Sequence, residues 1–292
     1  MSIRVTVDVF SGRPNPSVEL DERESAEILD RLMPVRRLGE GEPDLPPEPT
    51  LGYRGLVVDQ IGDRRPELPD IFRVAGGDVF GRGLAHRASD DRVEDYLIGA
   101  NGPLRRAGLD PVVLDRLPEE AERFHEMRRS WPVHFPPVPF WPPRCRCGPL
   151  YEPGWWNVPS RQPVNNCYNY ATNYRTDTFA QPGQAAGAMY TSLTCGSVRP
   201  AAIADDLIDA PGADNACPTL GHLVALVIWP GVDFHWYRKG RNGWWSHKPG
   251  STPVTNVDNS GHYISDPRTA DRGPYTDFCT FMVVMHGHIK IR

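Results

Sequence analysis

Residues 165–174 begin the second half of the chain with the stretch Asn165-Asn166-Cys167-Tyr168-Asn169-Tyr170-Ala171-Thr172-Asn173-Tyr174. Asparagine is a favoured N-cap, so Asn165 or Asn166 predicts a helix over about 167–174 that starts at Cys167. Free backbone N–H groups and the dipole at a helix N-terminus stabilise a thiolate and lower the pKa of the thiol. Cys167 is therefore a candidate nucleophile, and the alternative is a buried core thiol.

The chain after this helix is typical of β-structure. A Gly/Ala-rich passage and a short helix near 200–208 come first, and then strands are expected at 222–229, 234–238, 243–247, 262–265 and 278–291. Turn signals such as Pro230-Gly231 and Pro249-Gly250 separate these strands. A cysteine-bearing helix followed by an antiparallel sheet predicts an α+β domain over residues 164–292.

The first 130 residues predict a separate, small α+β module. Apolar and polar residues alternate over 3–10 and again over 17–20, which indicates a hairpin with a longer loop. Asp21 is expected to cap a helix that runs to about Met33. Further strands are expected near 51–58 and 71–74, and further helices after Ser89 or Asp90 and at Pro118.

Residues 131–163 join the two modules and combine ten prolines with seven aromatic residues. Prolines at this density exclude a regular helix or a central strand. Exposed aromatic surface is costly in water, so we expect an ordered, extended arm that lies on a domain surface and forms one wall of a cleft. The alternative is a semi-rigid spacer between the domains.

Composition and charge restrict the class of protein. The chain has 292 residues, 39% of them hydrophobic, and 32 basic against 37 acidic residues with the signs mixed. Nucleic acid and anionic membranes are therefore not expected as partners. The N-terminus shows strand-like alternation and no apolar run, which predicts a cytoplasmic protein without a signal peptide. Six cysteines are too few for a disulfide scaffold of this length, so reduced thiols are expected.

A cysteine nucleophile needs a base, and the base needs a polar neighbour that fixes its orientation. His235 and His247 stand on either side of residues 239–243, where Asn242-Gly243 is a strong hairpin signal. We expect the two histidines side by side on adjacent strands, with Cβ atoms about 4.5–5.5 Å apart.

Other polar residues remain possible in these roles. His222 stands at another predicted strand start and is a rival base, whereas His235 could be an ordinary half-buried strand residue. Asp266, Asp258 or Asn259 could orient the base in place of His247.

The combination of Cys167 at a helix start, His235 at a strand start and His247 on the next strand resembles the NlpC/P60 and CHAP branches of the papain-like cysteine peptidases. Cys167-Tyr168-Asn169-Tyr170-Ala171 is similar to the Cys-Thr-Trp-Tyr-Ala segment of CHAP domains. The resemblance covers about residues 160–292. It departs from NlpC/P60 at Asn166, where that family usually has aspartate, so the substrates of that family are not implied.

The resemblance implies a cysteine-dependent hydrolase or acyl transferase that cleaves an amide or peptide-like bond through a thioester. Cys167 would be the nucleophile, His235 the general base and His247 the orienting residue, with Asp266 as the possible alternative orienter. The oxyanion would be held near Gln162, Asn165 and Asn166. Tryptophans would shape a cleft for a peptide or amide-containing small molecule, namely Trp155, Trp156, Trp236, Trp244 and Trp245.

Two other functions remain open. The domain could be a non-catalytic binding or immunity-type module on a papain-like fold, or the triad could form amides in a biosynthetic reaction. Neither a metal nor a cofactor is expected, because Cys145-Arg146-Cys147 lacks the two-residue gap of common zinc sites and no second pair matches it. His286 and His288 are expected on a solvated strand face.

Overall fold

The chain divides into two units. A computed structural model describes residues 2–33, 36–37, 49–81, 84–88, 90, 92–130 and 142–292. The first unit comprises Met1–Val9, Asn15–Glu48 and Tyr53–Arg129, and the second comprises Phe10–Pro14, Pro49–Gly52 and Ser130–Arg292. The two short segments of the second unit were not predicted. The separation of 131–163 as an arm from 164–292 as a domain stays a prediction, and residues 131–141 lie outside the described part of the chain.

Alternating apolar residues build the sheet of the first unit. Ile3, Val5 and Val7 of strand β1, Ser2–Val7, are fully buried. The other described strands are β2 Ser17–Leu20, β3 Arg36–Arg37, β4 Leu56–Ile61, β5 Ile71–Ala75, β6 Asp78–Gly81 and β7 Leu84–Arg87. They pair antiparallel in the order β2-β1-β4-β5-β6-β7-β3. The hairpin predicted from the first 20 residues is confirmed.

The helices of the first unit begin where the sequence offers caps. Helix α1, Glu22–Leu32, is capped by Asp21, whose carboxylate accepts the Glu24 N–H at 2.7 Å. The unit also contains α2 Val93–Ile98, α3 Pro103–Arg106, α4 Pro111–Leu114 and α5 Leu117–Ser130. The helix expected after Ser89 or Asp90 is α2, which has no side-chain cap.

The second unit contains a five-stranded antiparallel sheet. Its strands are β8 Ile208–Asp209, β9 His222–Trp229, β10 Asp233–Lys239, β11 Trp245–His247 and β12 Asp277–Val284, in the order β11-β10-β9-β12-β8. Every residue of β9 and β10 is buried. The strand expected at 262–265 is not present and only an isolated bridge joins Val257 to Tyr263, while β12 ends at Val284.

Short helices complete the second unit: α6 Pro153–Trp156, a 3₁₀ turn Gln162–Val164, α7 Cys167–Thr172 and α8 Cys195–Ala204. Pro153 occupies the first turn of α6, where the missing N–H of proline has no cost. Helix α7 packs on β10. The predicted α+β class is confirmed. No helix within the described residues is both long and apolar enough to cross a bilayer.

Two disulfides lie in the second unit. Cys145 is bonded to Cys217, and Cys195 is bonded to Cys279. Cys147 is a partly exposed free thiol and Cys167 is a buried one. The expectation of six reduced thiols was therefore wrong. It rested on cysteine density, which says nothing about which thiols the fold brings within bonding distance.

Candidate functional site

The helix that carries Cys167 is fixed by hydrogen bonds at both ends. The Asn166 side chain accepts the N–H groups of Tyr168 and Asn169 at 3.0 and 3.1 Å, and Asn169 Oδ1 accepts the Asn166 N–H at 3.0 Å. This reciprocal arrangement is a capping box. Asn173 adopts a left-handed conformation with φ 60° and ends the helix at Thr172, two residues before the predicted end.

Cys167 is a core residue. It is 0% exposed and lies in an apolar cluster with Tyr168, Phe234 and Trp236 among others. Burial, and after it the nearby carboxylate of Asp233, raises the pKa of the Cys167 thiol well above its usual range. The thiol contacts the Phe234 carbonyl oxygen at 4.0 Å. The predicted low-pKa thiolate was wrong because loss of solvent outweighs the field of a helix of only six residues.

The predicted histidine pair forms, with a shifted register. Tyr237 rather than His235 stands opposite His247 across β10 and β11, so the two histidines are diagonal neighbours. His235 Nε2 nevertheless lies 2.9 Å from His247 Nδ1. Both imidazoles are fully buried.

A residue that the sequence did not single out completes this network. Ser11 Oγ lies 2.5 Å from His235 Nδ1, and both residues belong to the second unit. Since Nε2 of His235 bonds to His247, both ring nitrogens of His235 are engaged by groups other than the Cys167 sulfur. Ser11, His235 and His247 therefore form one chain of polar contacts, and the pairing of Cys167 with His235 as its base stays a prediction.

The end of this chain fixes the tautomers of both rings. His247 Nε2 lies 3.0 Å from the Val257 carbonyl oxygen, which only accepts hydrogen bonds, so this nitrogen carries the proton. Nδ1 of a neutral His247 is then an acceptor and receives the N–H from His235 Nε2. In a neutral His235, Nδ1 is then the acceptor and the Ser11 hydroxyl donates to it. Burial lowers the pKa of His247 from 6.5 to about 4, which keeps this ring neutral.

Asp233 holds the Ser11 segment in place. Its buried carboxylate accepts the backbone N–H groups of Ser11 at 2.6 Å, Gly12 at 3.1 Å and Arg13 at 3.2 Å. The Tyr275 hydroxyl donates to it at 2.7 Å. Burial raises the pKa of Asp233, and these donated hydrogen bonds oppose the effect. Asp233 precedes His235 by two residues on β10, so both side chains are on one face of the sheet.

The Gly12 carbonyl lies between two side-chain amides. It accepts Asn166 Nδ2 at 2.7 Å and Gln181 Nε2 at 2.8 Å. A Cβ atom on Gly12 would overlap the Phe234 ring. We call Phe10–Pro14 the inserted segment, because its residues Ser11 and Gly12 contact His235, Asn166 and the Phe234 ring directly.

The other predicted site residues have structural contacts elsewhere. The Asn165 amide donates to Asp177 at 3.0 Å, and Gln162 Nε2 donates to the Ser251 carbonyl at 3.3 Å. Asp266 makes a bidentate pair with Arg268 instead of orienting a histidine. His222 Nε2 lies 2.7 Å from the Ala171 carbonyl, and burial lowers the pKa of His222 to about 3.

The predicted cleft is not formed by the tryptophans. Four of them are core residues with exposures of 4% or less, namely Trp156, Trp236, Trp244 and Trp245. Trp155 is 40% exposed, and the Arg161 guanidinium stacks on its ring at 4.2 Å. In the part of the chain that the structure describes, no cluster of three or more His, Cys, Asp or Glu side chains could hold a metal ion.

Sequence reasoning missed Ser11, Asp233, Gln181 and Tyr275. Asp233 could have been found, because a residue two positions before His235 shares its strand face. Ser11 is 224 residues away from His235, and no spacing rule connects residues so distant in the chain.

Comparison with known proteins gives one informative result. No protein-family model matches the chain, and no solved structure matches it. A curated relative, insoluble matrix shell protein 1 of Ruditapes philippinarum, is 50% identical over 140 residues, which cover 47% of this chain and 91% of the relative. The chain belongs to the insoluble matrix shell protein 1 family.

Membership of the shell-protein family corrects several predictions. The relative is named as a matrix protein of a shell and not as an enzyme, so the cysteine hydrolase, peptidase, amidase and acyl transferase assignments were wrong. The cytoplasmic location was wrong for the same reason. The sequence patterns were local, and they could not reveal the contacts of Ser11 and Gly12 with His235 and Asn166. The expected lack of nucleic-acid and membrane partners stays a prediction.

Proposed function

We propose that this shell-family protein is a non-catalytic structural component of an insoluble extracellular matrix. The observation that carries the proposal is the inserted segment on the cysteine–histidine site. Ser11 engages His235, Gly12 engages Asn166, and Cys167 has no exposed surface. A nucleophile must be reached by its substrate, and a thiol with a raised pKa contains little thiolate at neutral pH.

The covalent structure of the second unit supports an extracellular location. Disulfides persist in oxidising compartments and are rare in the cytosol. Cys145–Cys217 and Cys195–Cys279 close stretches with sequence separations of 72 and 84 residues. Such long closures restrict the unfolded chain and stabilise the folded unit. A matrix component outside the cell, without chaperones, benefits from this stability.

We further propose that the second unit has a papain-like scaffold that serves as a structural core. In its support, α7 begins at Cys167 and packs on β10, and the strand next to β10 carries His247. In this scaffold, the positions that would carry catalytic groups instead form a closed hydrogen-bond network. Their contribution is to stability, because the side-chain polar atoms of Ser11, His235 and His247 all have partners.

Two measurements test the structural role. Iodoacetamide should label Cys147 in the native protein and should reach Cys167 only after unfolding. In the organism that makes the protein, salt and detergent extraction should leave it in the insoluble residue outside the cell. Rapid native labelling of Cys167 would overturn the closed site, and recovery in the soluble cytoplasmic fraction would overturn the matrix assignment.

A further inference from the structure

Three cysteines of the second unit lie on two neighbouring segments, with Cys145 buried and Cys147 and Cys217 partly exposed. Cys145 is bonded to Cys217. Cys147 is two residues further along, and its thiol donates to the carbonyl of Thr219 at 3.5 Å, two residues beyond Cys217. Residues 145–147 and residues 217–219 therefore lie side by side. The free thiol of Cys147 is two residues from the Cys145–Cys217 disulfide.

The segment that carries Cys145 and Cys147 is anchored to the rest of the unit. The Cys145 N–H donates to the Arg241 carbonyl at 3.0 Å, and the Arg241 N–H donates to the Pro149 carbonyl at 2.8 Å. The Gly148 N–H closes a turn on the Cys145 carbonyl at 3.0 Å. A Cβ on Gly148 would meet the Arg241 backbone at 2.7 Å, which shows how closely this turn is packed.

The opposite segment is exposed. Cys217 is partly exposed, Thr219 is exposed, and the following Leu220 is 64% exposed. The exchange requires this segment to shift along the anchored turn, so that the Cys217 sulfur meets Cys147 in place of Cys145. Two residues span at most about 7 Å, and disulfides form between residues whose Cα atoms are about 4.4–6.8 Å apart, so a shift of this length would move Cys217 from one partner to the other.

We propose that Cys145, Cys147 and Cys217 form a thiol–disulfide exchange site with two alternative pairings. Cys147 loses its proton to solvent, and its thiolate attacks the Cys217 sulfur. The Cys147–Cys217 bond forms as the Cys145–Cys217 bond breaks, and Cys145 leaves as a thiolate that takes a proton from solvent. The number of disulfides is unchanged, so the exchange needs neither oxidant nor reductant.

The exchange would reshape a cavity of about 510 Å³. Its lining includes Asn215, Ala216 and Cys217 from one segment, and Pro142, Pro143 and Arg144 from the segment that leads to Cys145. Lys239, whose amine donates to the Asn215 side chain at 2.6 Å, lines the same cavity. A change of partner at Cys217 shifts these two lining segments relative to each other, so the cavity has a different shape in each pairing.

The other disulfide provides a matched control. Cys195–Cys279 has no third cysteine beside it in the sequence, and the remaining free thiol, Cys167, is buried. Removing one partner should therefore have opposite consequences at the two disulfides. When Cys145 is removed, Cys217 has a new partner in Cys147. When Cys195 is removed, Cys279 has no new partner.

The first experiment uses the full-length variants Cys145→Ser and Cys195→Ser, oxidised with glutathione and digested without reduction. In Cys145→Ser, mass spectrometry should detect a disulfide-linked Cys147–Cys217 peptide pair in most molecules. In Cys195→Ser, Cys279 should remain reactive towards N-ethylmaleimide. If Cys147 and Cys217 both remain fully alkylated in folded Cys145→Ser, the proposal is wrong.

A second experiment avoids the loss of the native disulfide. The wild-type protein and Cys147→Ser are incubated with N-ethylmaleimide above neutral pH under native conditions. Alkylation should appear at Cys145 in the wild type and be at least tenfold lower in Cys147→Ser, because only Cys147 releases Cys145. Equal labelling of Cys145 in both proteins would overturn the exchange. Either failure leaves the structural role intact, since that role rests on Cys167 and on the location of the protein.

Discussion

Ser11 determines the state of the buried histidine pair. Its hydroxyl donates to His235 Nδ1, and the same residue's backbone N–H donates to Asp233. The network is satisfied from Ser11 through both imidazoles to the Val257 carbonyl. A satisfied buried network stabilises a unique arrangement, whereas a single missing member leaves a buried polar atom without a partner.

Replacement of Ser11 by alanine should therefore destabilise the second unit by about 1–3 kcal/mol, the cost of a buried acceptor left unpaired. The free energy of unfolding, measured in guanidinium chloride by tryptophan fluorescence, checks this expectation. Ser160→Ala is the matched control, because Ser160 is exposed in the same unit and its replacement should change little. Equal effects of the two substitutions would contradict the role of the Ser11 hydroxyl.

The histidines also predict how stability depends on pH. In the folded state the pKa of His247 is lowered by burial to about 4, against 6.5 in the unfolded chain. Between about pH 4 and pH 6.5, His247 binds a proton in the unfolded chain but not in the folded protein. Stability is therefore complete above about pH 6.5 and falls as the pH decreases towards 4, by up to about 3 kcal/mol from this residue.

Guanidinium unfolding at several pH values between about 7.5 and 4.5 measures this slope. In His247→Gln, the amide oxygen can accept from His235 and the amide N–H can donate to Val257, so the variant should fold with a shallower slope. His222, with its pKa lowered to about 3, accounts for part of the remaining dependence. A slope that is the same in His247→Gln and the wild type would disprove the assignment.

At the scale of elements, the inserted segment Phe10–Pro14 closes the site. Gly12 makes its close approach to β10 possible, because the absence of a Cβ leaves room for the Phe234 ring. Gly12→Ala should lower the free energy of unfolding by about 1–3 kcal/mol through overpacking. It should also make Cys167 reactive towards iodoacetamide in the native protein, if the segment is displaced.

Gly196→Ala is the control for this substitution. Gly196 lies in α8, and an added Cβ meets no atom within 4 Å. Gly196 is the second residue of α8, and alanine is favoured over glycine in a helix by up to about 1 kcal/mol, so this variant should be neutral or slightly more stable. If Gly12→Ala behaves like Gly196→Ala, the close contact with Phe234 does not hold the segment.

Local elements were predictable, and their long-range contacts were not. The Asp21 cap of α1, the cysteine-bearing α7 and the hairpin of β10 and β11 follow from signals within a few residues. The partner of His235 lies 224 residues away, and the disulfides join cysteines 72 and 84 residues apart. Such contacts depend on tertiary packing, and no periodic pattern in the sequence indicates them.

At the scale of the whole molecule, cysteine and tryptophan are distributed unevenly. All six cysteines and all eight tryptophans lie between Ser130 and Arg292, in the second unit. The first unit contains neither residue type, so its stability comes from its apolar core, including Ile3, Leu29 and Phe72, and from buried ion pairs such as Asp8–Arg54. A change of redox conditions should therefore alter the stability of the second unit only.

A reductant should separate the unfolding transitions of the two units. Each disulfide closes a loop long enough to contribute about 4 kcal/mol by restricting the unfolded chain, so reduction by a phosphine should move the tryptophan fluorescence transition to lower denaturant concentration. The first unit has no tryptophan, and its share of the far-ultraviolet circular dichroism change should keep its midpoint. A fluorescence midpoint that does not move, although mass spectrometry shows both disulfides reduced, would mean that the disulfides do not stabilise the second unit.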